Sequence, residues 1–435
     1  MTPIHSIFLK SLDALLRGFI KTGSLTVIDA DGRRRLYGDG GEPRSVMRIH
    51  DPRLYAGLAF NPDLAAGEAY MDGTLTFEEG GVRGFLEVVH MNAAHLRANP
   101  LRKALREPAR LLRRLHQHNT IVRARKNVAH HYDLSNDFFK LFLDDELNYS
   151  CAYFATRGES LEEAQKAKLR HVAAKLRIEP GMRVLDIGCG WGAMAIYLAQ
   201  HLDAEVVGVT LSDEQQKYAA ERAAALGLAN KVEIRLADYR AVAERFDRIV
   251  SIGMFEHVGV PYYDEFFAKI SDLLEDNGVA LVHSIGRRGV PDATGPWIRK
   301  YIFPGGYSPS LSEALAAIER RGLWACDIEI LRLHYAETLN EWSRRFQANR
   351  ARARAMFDER FCRMWEFFLI TSELAFRHGG HMVFQVQLAK AVDAAPYVRD
   401  YIGAAETALR RMEEEAEQSY LPRRARRRSS DSAGQ

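Results

Sequence analysis

The chain has few cysteines and no long apolar run. Its 435 residues include four cysteines, at positions 151, 189, 326 and 362, and no two of them have C-x-x-C spacing. Neither a disulfide framework nor a metal site is therefore expected, and the thiols are predicted to be reduced in a cytoplasmic protein. No apolar run reaches the about 18 residues that a membrane-spanning helix requires. Charged residues at positions 10, 13 and 17 interrupt the N-terminal apolar pattern, so a signal peptide is not expected.

The chain also lacks a large net charge, since its formal charge is only +3. Its basic residues are unevenly distributed, however, because lysines and arginines crowd residues 101–126 with leucines between them. Such a basic amphipathic helix can lie on an anionic membrane surface. It can equally be a solvated helix between domains, and both interpretations remain open. No nucleic-acid-reading motif accompanies these charges, so nucleic acid is not an expected partner.

Composition and pattern predict four parts. Residues 1–98 are predicted to form a small α+β domain of lipid-binding type, with an amphipathic helix over 1–20 and a β-hairpin over 24–38. Residues 99–126 form the basic linker, and residues 127–421 form the catalytic domain with a helical cap. The Arg-rich and Ser-rich tail, 422–435, is predicted to be disordered.

Strands alternate with helices in the middle of the chain. The predicted strands are 183–187, 205–209, 232–236, 247–252 and 279–283. This order indicates a parallel sheet with helices on both faces, and its ligand is expected at the carboxyl ends of the strands. Residues 286–310 are predicted to be a long functional loop. Residues 311–325 and 335–415 are predicted to be mostly helical and to cover the pocket.

The first of these strands leads into a glycine-rich loop. Val184–Ile187 is followed by Gly188, Gly190 and Gly192, and a helical pattern begins at Ala193. Glycines at such a turn let a ligand approach the backbone closely. The G-x-G-x-G spacing, with Asp186 at the strand end, suits S-adenosylmethionine better than a dinucleotide. A tight turn with no ligand is the alternative.

Polar side chains follow the other strands. Thr210 and Gln215 are candidates to hold a ribose, although Ser212 and Gln215 also fit an ordinary helix cap. Asp238 can accept a hydrogen bond from an adenine amino group, or it can belong to a plain polar loop. Glu256 and His283 end neighbouring strands, and two such ends at one pocket mouth favour catalysis over core packing.

Several motifs in this order resemble the cyclopropane-fatty-acyl-phospholipid synthases and the related mycolic acid cyclopropane synthases. The resemblance covers about residues 120–400 and is weaker over 45–98, where Gly67–Met71 is the best match. The motifs are Asn127–Asp133, Tyr149–Tyr153, the glycine loop, Phe255–Gly259 and Lys300–Pro304. The resemblance implies a Rossmann-like class I methyltransferase domain of α/β class with a helical cap. It also implies a small N-terminal α+β domain.

The resemblance further implies the reaction. An acyl-chain alkene attacks the methyl group of S-adenosylmethionine, and a bound bicarbonate removes a methyl proton as the ring closes. The catalytic positions that the resemblance implies are Cys151, Glu256, His283, Ile285 (through its backbone) and Tyr335. The cofactor contacts that it implies are Tyr149, Ser150, Asp186, Gly188, Gly190, Gly192, Thr210, Gln215 and Asp238.

Three details qualify this assignment. Cys151 is interpreted as a positioning residue, with a small buried apolar residue as the alternative. About half of seven aromatic residues are expected to line an acyl channel, and the rest to pack in the core; they are Trp297, Tyr301, Phe303, Tyr307, Trp365, Phe367 and Phe368. Family members often carry a cysteine in a late helix, where this chain has Ser372, and Cys362 is out of register.

The expected substrate is an unsaturated phospholipid in a membrane surface, with the enzyme cytoplasmic and peripherally bound to the inner membrane surface. The resemblance also implies a homodimer formed through the N-terminal domain. A methyl-branched or methylene-branched product can arise at the same site, and some small-amine N-methyltransferases share this catalytic core. A lipid-binding protein with a relict methyltransferase domain is the non-enzymatic alternative. The intact glycine loop argues against it.

Overall fold

A computed structural model of the protein describes residues 3–98, 117 and 134–420. The predicted basic helix lies outside the described residues except for Gln117. The Asn127–Asp133 motif and the tail predicted over 422–435 lie outside them as well. In the described part of the chain, no helix is long and apolar enough to cross a membrane.

The N-terminal segment is a four-stranded sheet with helices, in the strand order β2-β1-β3-β4. Its strands are β1 (Ser24–Ile28), β2 (Arg34–Gly38), β3 (Arg44–Ile49) and β4 (Leu75–Glu79). Its helices are α1 (Pro3–Phe19), α2 (Leu54–Phe60), α3 (Pro62–Met71), α4 (Gly81–Met91) and α5 (Ala93–Ala98). The predicted hairpin is confirmed, because β1 and β2 pair antiparallel from Ser24–Gly38 to Ile28–Arg34. The amphipathic α1 is confirmed too, since Leu9, Leu12 and Leu16 are buried on one face.

The second sheet has seven strands in the order β10-β11-β9-β8-β5-β6-β7. Its strands are β5 (Arg183–Ile187), β6 (Glu205–Thr210), β7 (Val232–Leu236), β8 (Phe246–Ile252), β9 (Leu274–Arg287), β10 (Trp324–Leu331) and β11 (His381–Ala389). The five predicted strands are confirmed, and they pair parallel. Their carboxyl ends therefore meet at one edge of the sheet.

Two antiparallel strands were not predicted. Residues 381–389, expected to be helical, form β11 between β9 and β10. Residues 384–388 of β11 alternate apolar and polar side chains, yet nearly every residue of the strand is buried, so the polar positions do not mark a solvent-facing side. This alternation is a strand signal that the helical prediction over 335–415 does not take into account. The pairing with β9 decided the structure.

The helices of this part cover both faces of the sheet and one edge. They are α6 (Asn136–Phe139), α7 (Leu161–Leu176), α8 (Ala193–Leu202), α9 (Asp213–Ala225), α10 (Tyr263–Leu273), α11 (Pro296–Tyr301), α12 (Leu311–Arg320), α13 (His334–Ala348), α14 (Arg350–Met356), α15 (Glu359–Arg377) and α16 (Tyr401–Tyr420). α7 begins with a capping box between Ser160 and Glu163. One hydrophobic cluster extends from α1 through the N-terminal sheet to α13 and α15.

The N-terminal segment packs tightly on this helical layer at Gly67. A Cβ atom at Gly67 would lie 2.3 Å from the indole of Trp297, which is fully buried. The next residue, Glu68, accepts hydrogen bonds from Lys300 Nζ at 2.5 Å and from the Tyr301 hydroxyl at 2.8 Å. The Gly67–Met71 match therefore lies at a junction between the N-terminal segment and α11.

Candidate functional site

The glycine loop leaves open space beside its backbone. Gly188, Gly190 and Gly192 all have positive φ, at +80°, +55° and +84°. A Cβ atom at Gly190 would meet no heavy atom within 4 Å, whereas one at Gly192 would lie 3.0 Å from Ala219 Cβ. Gly190 thus faces the cavity, and Gly192 lets the loop pack against α9.

Two adjoining cavities lie beside the carboxyl ends of the parallel strands. The glycine-loop cavity has a volume of about 170 Å³, and the large cavity has a volume of about 690 Å³. All the predicted cofactor contacts except Gly192 line the glycine-loop cavity. All five predicted catalytic residues line the large cavity. Both cavities are bordered by Tyr149, Ser150, Gly253 and His257.

Asp186 is the buried carboxylate of the glycine-loop cavity. It is 2 % exposed, and among the described residues its Oδ2 atom has no hydrogen-bond partner. Burial raises the pKa of Asp186 to about 7, although the charge of Lys168 opposes this shift. An oriented acceptor without a protein partner fits a site for a polar ligand.

Lys168 was missed in the sequence, because a lysine in the amphipathic α7 is usually exposed. It is 2 % exposed and lines the glycine-loop cavity. Its Nζ donates to Asn148 Oδ1 at 2.7 Å and to Ser150 Oγ at 3.2 Å. Burial lowers the pKa of Lys168 to about 8. Lys168 therefore anchors the segment that separates the two cavities.

The residues predicted to contact the ribose and the adenine of the donor are hydrogen-bonded to other protein groups. The Thr210 hydroxyl donates to Gln215 Oε1 at 2.9 Å, and Ser212 Oγ accepts from the Gln215 backbone N–H at 3.3 Å. Gln215 is thus in the helix cap and beside the cavity at once. Asp238 forms an ion pair with Arg240 at 2.7 Å, which fixes the carboxylate at the cavity wall.

Glu256 is held in the large cavity by the neighbouring strand. Its Oε1 accepts from the Ile285 backbone N–H at 2.6 Å, and its Oε2 is buried without a partner among the described residues. Burial raises the pKa of Glu256 to about 7, against the lowering effect of the Ile285 hydrogen bond. In this arrangement the Ile285 N–H orients the Glu256 carboxyl group.

His283 and Tyr335 line the same cavity from different elements. His283, on β9, is 2 % exposed, and its Nδ1 lies 3.2 Å from Gln385 Nε2 on β11. Burial lowers the pKa of His283 to about 3, so the imidazole is neutral. Tyr335, on α13, packs against Trp342 and Phe376, with ring centroids 5.8 and 5.0 Å away.

Cys151 lines the large cavity as a neutral thiol. It is 1 % exposed, and its Sγ donates to the Ala152 carbonyl at 3.3 Å. Burial raises the pKa of this thiol well above its usual range. A nucleophilic cysteine requires a thiolate, so the environment of Cys151 does not favour that role.

The large cavity has aromatic and aliphatic walls. Phe303, Tyr307 and Phe368 line it, whereas Trp297 and Trp365 are core residues outside its wall. Ser372 also lines this cavity, as the alignment of the late helix predicts. Cys362 is fully buried and does not line it.

The polar groups of the large cavity fit a small oxyanion that carries one hydrogen, such as bicarbonate. The orphaned Glu256 Oε2 can accept that hydrogen, and His283 and Tyr335, whose side chains are of donor type, line the same wall. The orphaned Asp186 Oδ2 and the open space at Gly190 likewise fit S-adenosylmethionine in the neighbouring cavity.

Comparisons with known proteins agree with this geometry. Residues 119–386 match the mycolic acid cyclopropane synthetase family. The chain is 38% identical over 355 residues to the cyclopropane-fatty-acyl-phospholipid synthase of Escherichia coli, covering 82% of this chain and 90% of that protein. It is 35% identical over 363 residues to a probable fatty acid methyltransferase of Pseudomonas putida, covering 81% and 88% of the two chains.

Solved structures give the same assignment. The cyclopropane synthase MmaA2 of Mycobacterium tuberculosis superposes with a TM-score of 0.59 at 36% identity, covering 61% of this chain and 98% of that one. The mycolic acid cyclopropane synthase CmaA1, complexed with S-adenosylhomocysteine and CTAB, superposes with a TM-score of 0.58 at 38% identity, covering 61% of this chain and 97% of that one. Since the family match spans more than half of the chain, the protein belongs to the mycolic acid cyclopropane synthetase family and is an S-adenosylmethionine-dependent methyltransferase with the class I fold.

Proposed function

We propose that the protein transfers a methylene group from S-adenosylmethionine to the cis double bond of unsaturated phospholipid acyl chains, which forms cyclopropane fatty acids. The observation that carries this proposal is the shared wall of the two cavities, at Tyr149, Ser150, Gly253 and His257. A methyl donor on one side of this wall and an alkene on the other would meet there. The family membership supports the same chemistry.

The glycine-loop cavity is the proposed donor site. S-adenosylmethionine supplies the electrophilic methyl group when it is bound. Gly190 lets the donor approach the backbone, because a Cβ atom there would face open space. Thr210 and Gln215 offer a fixed hydroxyl and amide to its ribose. Asp238, held by Arg240, offers an acceptor to its adenine amino group.

The large cavity is the proposed acyl site. Its apolar lining, which includes Phe303, Leu339 and Phe368, suits a hydrocarbon chain and excludes water. Exclusion of water matters because methylation of an alkene leaves a carbocation, which water would trap. Aromatic faces at this wall also stabilise positive charge.

The polar end of the large cavity is the proposed site of proton removal. Bicarbonate supplies the base when it is bound. Glu256 Oε1 already accepts from the Ile285 N–H, so Oε2 is the atom that would accept the hydrogen of that anion. His283 and the Tyr335 hydroxyl are the proposed donors, and Cys151 fills the wall as a neutral thiol. Fixed groups of this kind place the base where charge develops.

The proposed site implies an enzyme bound to the surface of the inner membrane, where phospholipid chains are found. We propose that residues 1–98 and the basic linker, 99–126, serve this binding, with residues 127–421 as the catalytic domain and residues 422–435 as a tail. Ala93 and Ala94, at the start of α5, line the large cavity. The segment that leads into the basic linker therefore begins at this cavity. We also propose that the protein forms a homodimer through its N-terminal domain.

A branched product is the second candidate. The chain is 41% identical over 281 residues to the tuberculostearic acid methyltransferase UfaA1 of Mycobacterium tuberculosis, covering 61% of this chain and 65% of that protein. The same cation gives a ring or a branched chain, depending on which proton leaves. Removal of a proton from the new methyl group gives the ring.

Acyl-product analysis tests both candidates. The protein is incubated with unsaturated phospholipid vesicles and S-adenosylmethionine that carries a trideuterated methyl group. A ring closed by loss of a methyl proton retains two deuterons in mass spectrometry and shows cyclopropyl hydrogens in the proton NMR spectrum. A methyl-branched alkene, formed by loss of a proton from the acyl chain, retains three deuterons, whereas a methylene-branched chain retains two but shows no cyclopropyl hydrogens. The absence of any labelled acyl product from the wild-type protein would refute the proposal.

A further inference from the structure

A buried side chain on β11 faces the proposed catalytic histidine. Gln385 is opposite His283 in the antiparallel register of β11 and β9, and both residues are buried. The Gln385 Nε2 atom lies 3.2 Å from His283 Nδ1. An amide nitrogen only donates, so Nδ1 must accept, and the hydrogen of the neutral ring must be on Nε2.

The orientation of the Gln385 amide is itself determined by a lysine. Lys175 Nζ, on α7, donates to Gln385 Oε1 at 2.8 Å and is fully buried. An ammonium group has three hydrogens and no acceptor, so the amide oxygen must face it. Rotating the amide by half a turn would place its NH₂ group against the ammonium group and its oxygen against Nδ1.

Lys175 is held in turn by carboxylates. Its Nζ forms ion pairs with Glu329 and with Asp327, the latter at 3.4 Å. Glu329 also bonds His171, whose second nitrogen lies 2.6 Å from Glu406. Burying this lysine is costly unless its charge is paired. The described residues therefore form a continuous chain of polar contacts from α16 to the wall of the large cavity.

We propose that Gln385 and Lys175 are positioning residues that hold His283 as the neutral Nε2–H tautomer, so that the large cavity receives a hydrogen-bond donor. This inference rests on the proposed function, in which His283 donates to the anion beside Glu256. Burial, together with the positive charges of Lys168 and Lys175, lowers the pKa of His283 to about 3, so the ring stays neutral at physiological pH. The tautomer then decides whether Nε2 donates or accepts.

The inference is tested by nitrogen NMR on protein labelled with ¹⁵N-histidine, with His283→Asn used to assign the signal. We expect the wild-type spectrum to show a bare Nδ1 and a protonated Nε2. In Gln385→Glu, a carboxylate replaces the amide donor, so the hydrogen is expected on Nδ1. The kcat should fall at least tenfold, while the Kd for S-adenosylmethionine stays within twofold of the wild-type value.

Gln387→Leu is the matched control. Gln387 is two residues further along β11, on the same face and equally buried, but it donates to the Lys175 carbonyl and the Tyr401 hydroxyl. Its replacement should leave the His283 tautomer unchanged and alter kcat less than twofold. If Gln385→Glu does not fold, Gln385→Leu takes its place, and we expect loss of the single tautomer and a fivefold lower kcat.

The outcomes separate this inference from the proposed function. A wild-type His283 protonated on Nδ1, or a Gln385→Glu protein that loses turnover with its tautomer unchanged, overturns the positioning role. A wild-type protein that makes no labelled acyl product overturns the proposed function. In that case the NMR spectra still show whether Gln385 determines the tautomer of His283.

Discussion

Replacing Glu256 by glutamine should make the protein more stable at pH 8 and abolish ring formation. The carboxyl group is buried, and burial raises its pKa from 4.5 to about 7. The folded state therefore binds a proton at Glu256 more tightly than the unfolded state does. Glu256 therefore makes its full contribution to the free energy of unfolding below pH 4.5, and this contribution is lost as the pH rises towards 7.

The magnitude follows from the size of the shift. About 2.5 pKa units correspond to roughly 3 kcal/mol of unfolding free energy lost above pH 7. Glutamine keeps the acceptor for the Ile285 N–H but places an NH₂ group where Oε2 now lacks a partner, at a cost of about 1 kcal/mol. Glu256→Gln should thus gain about 2 kcal/mol at pH 8 and lose about 1 kcal/mol at pH 4.5.

Urea unfolding from pH 4.5 to 8.5 measures this difference, and calorimetry with S-adenosylmethionine checks that the donor still binds. The surface carboxyl group of Glu341, paired with Arg344, provides a control. Glu341→Gln should change stability by less than about 0.5 kcal/mol at every pH. A stability difference for Glu256→Gln that does not vary with pH would refute the reasoning, and unchanged turnover would refute the proposed role.

Two further predictions follow from the structure and a third from the sequence. Tyr335→Phe should abolish ring formation, measured by acyl-product mass spectrometry, while S-adenosylmethionine still binds; normal turnover would remove Tyr335 from the site. Gly67→Ala should lower stability by about 1–3 kcal/mol in thermal unfolding, because its Cβ would clash with Trp297, whereas Gly403→Ala, with open space around it, should gain up to about 1 kcal/mol. Charge reversal of the arginines at 110, 113 and 114 should weaken binding to anionic vesicles and remove its salt dependence; unaffected binding would make the basic segment structural.

The late-helix serine is consistent with the proposed chemistry. Ser372 lines the large cavity at the position where the family resemblance implies a cysteine, and Cys362 does not line that wall. The proposed proton transfer uses Glu256, His283 and Tyr335, so it requires no thiol at this place. A Ser372→Cys variant that retains the wild-type product would agree with this view.

The sequence predicted the parallel part of the sheet because local rules decide it. Four of the five strands contain a short apolar run, the fifth, β7, alternates apolar and charged residues, and the glycines at 188, 190 and 192 mark a turn in the sequence. The carboxyl ends of parallel strands meet at one edge, so Glu256 and His283 were expected to be neighbours. The structure places both at the wall of one cavity.

Other features arose only from contacts between distant segments. β10 and β11 each have only a short alternation of polar and apolar residues, at 327–330 and 384–388, and pairing with β9 and with each other places them in the sheet. Lys168 and Lys175 belong to an ordinary helical pattern, and only the tertiary structure buries them beside Asn148 and Gln385. Composition and periodicity thus determined the parallel strands and the order of the site residues along the chain. Burial and long-range hydrogen bonding decided which groups are charged and which donate, because both depend on neighbours that are far away in the sequence.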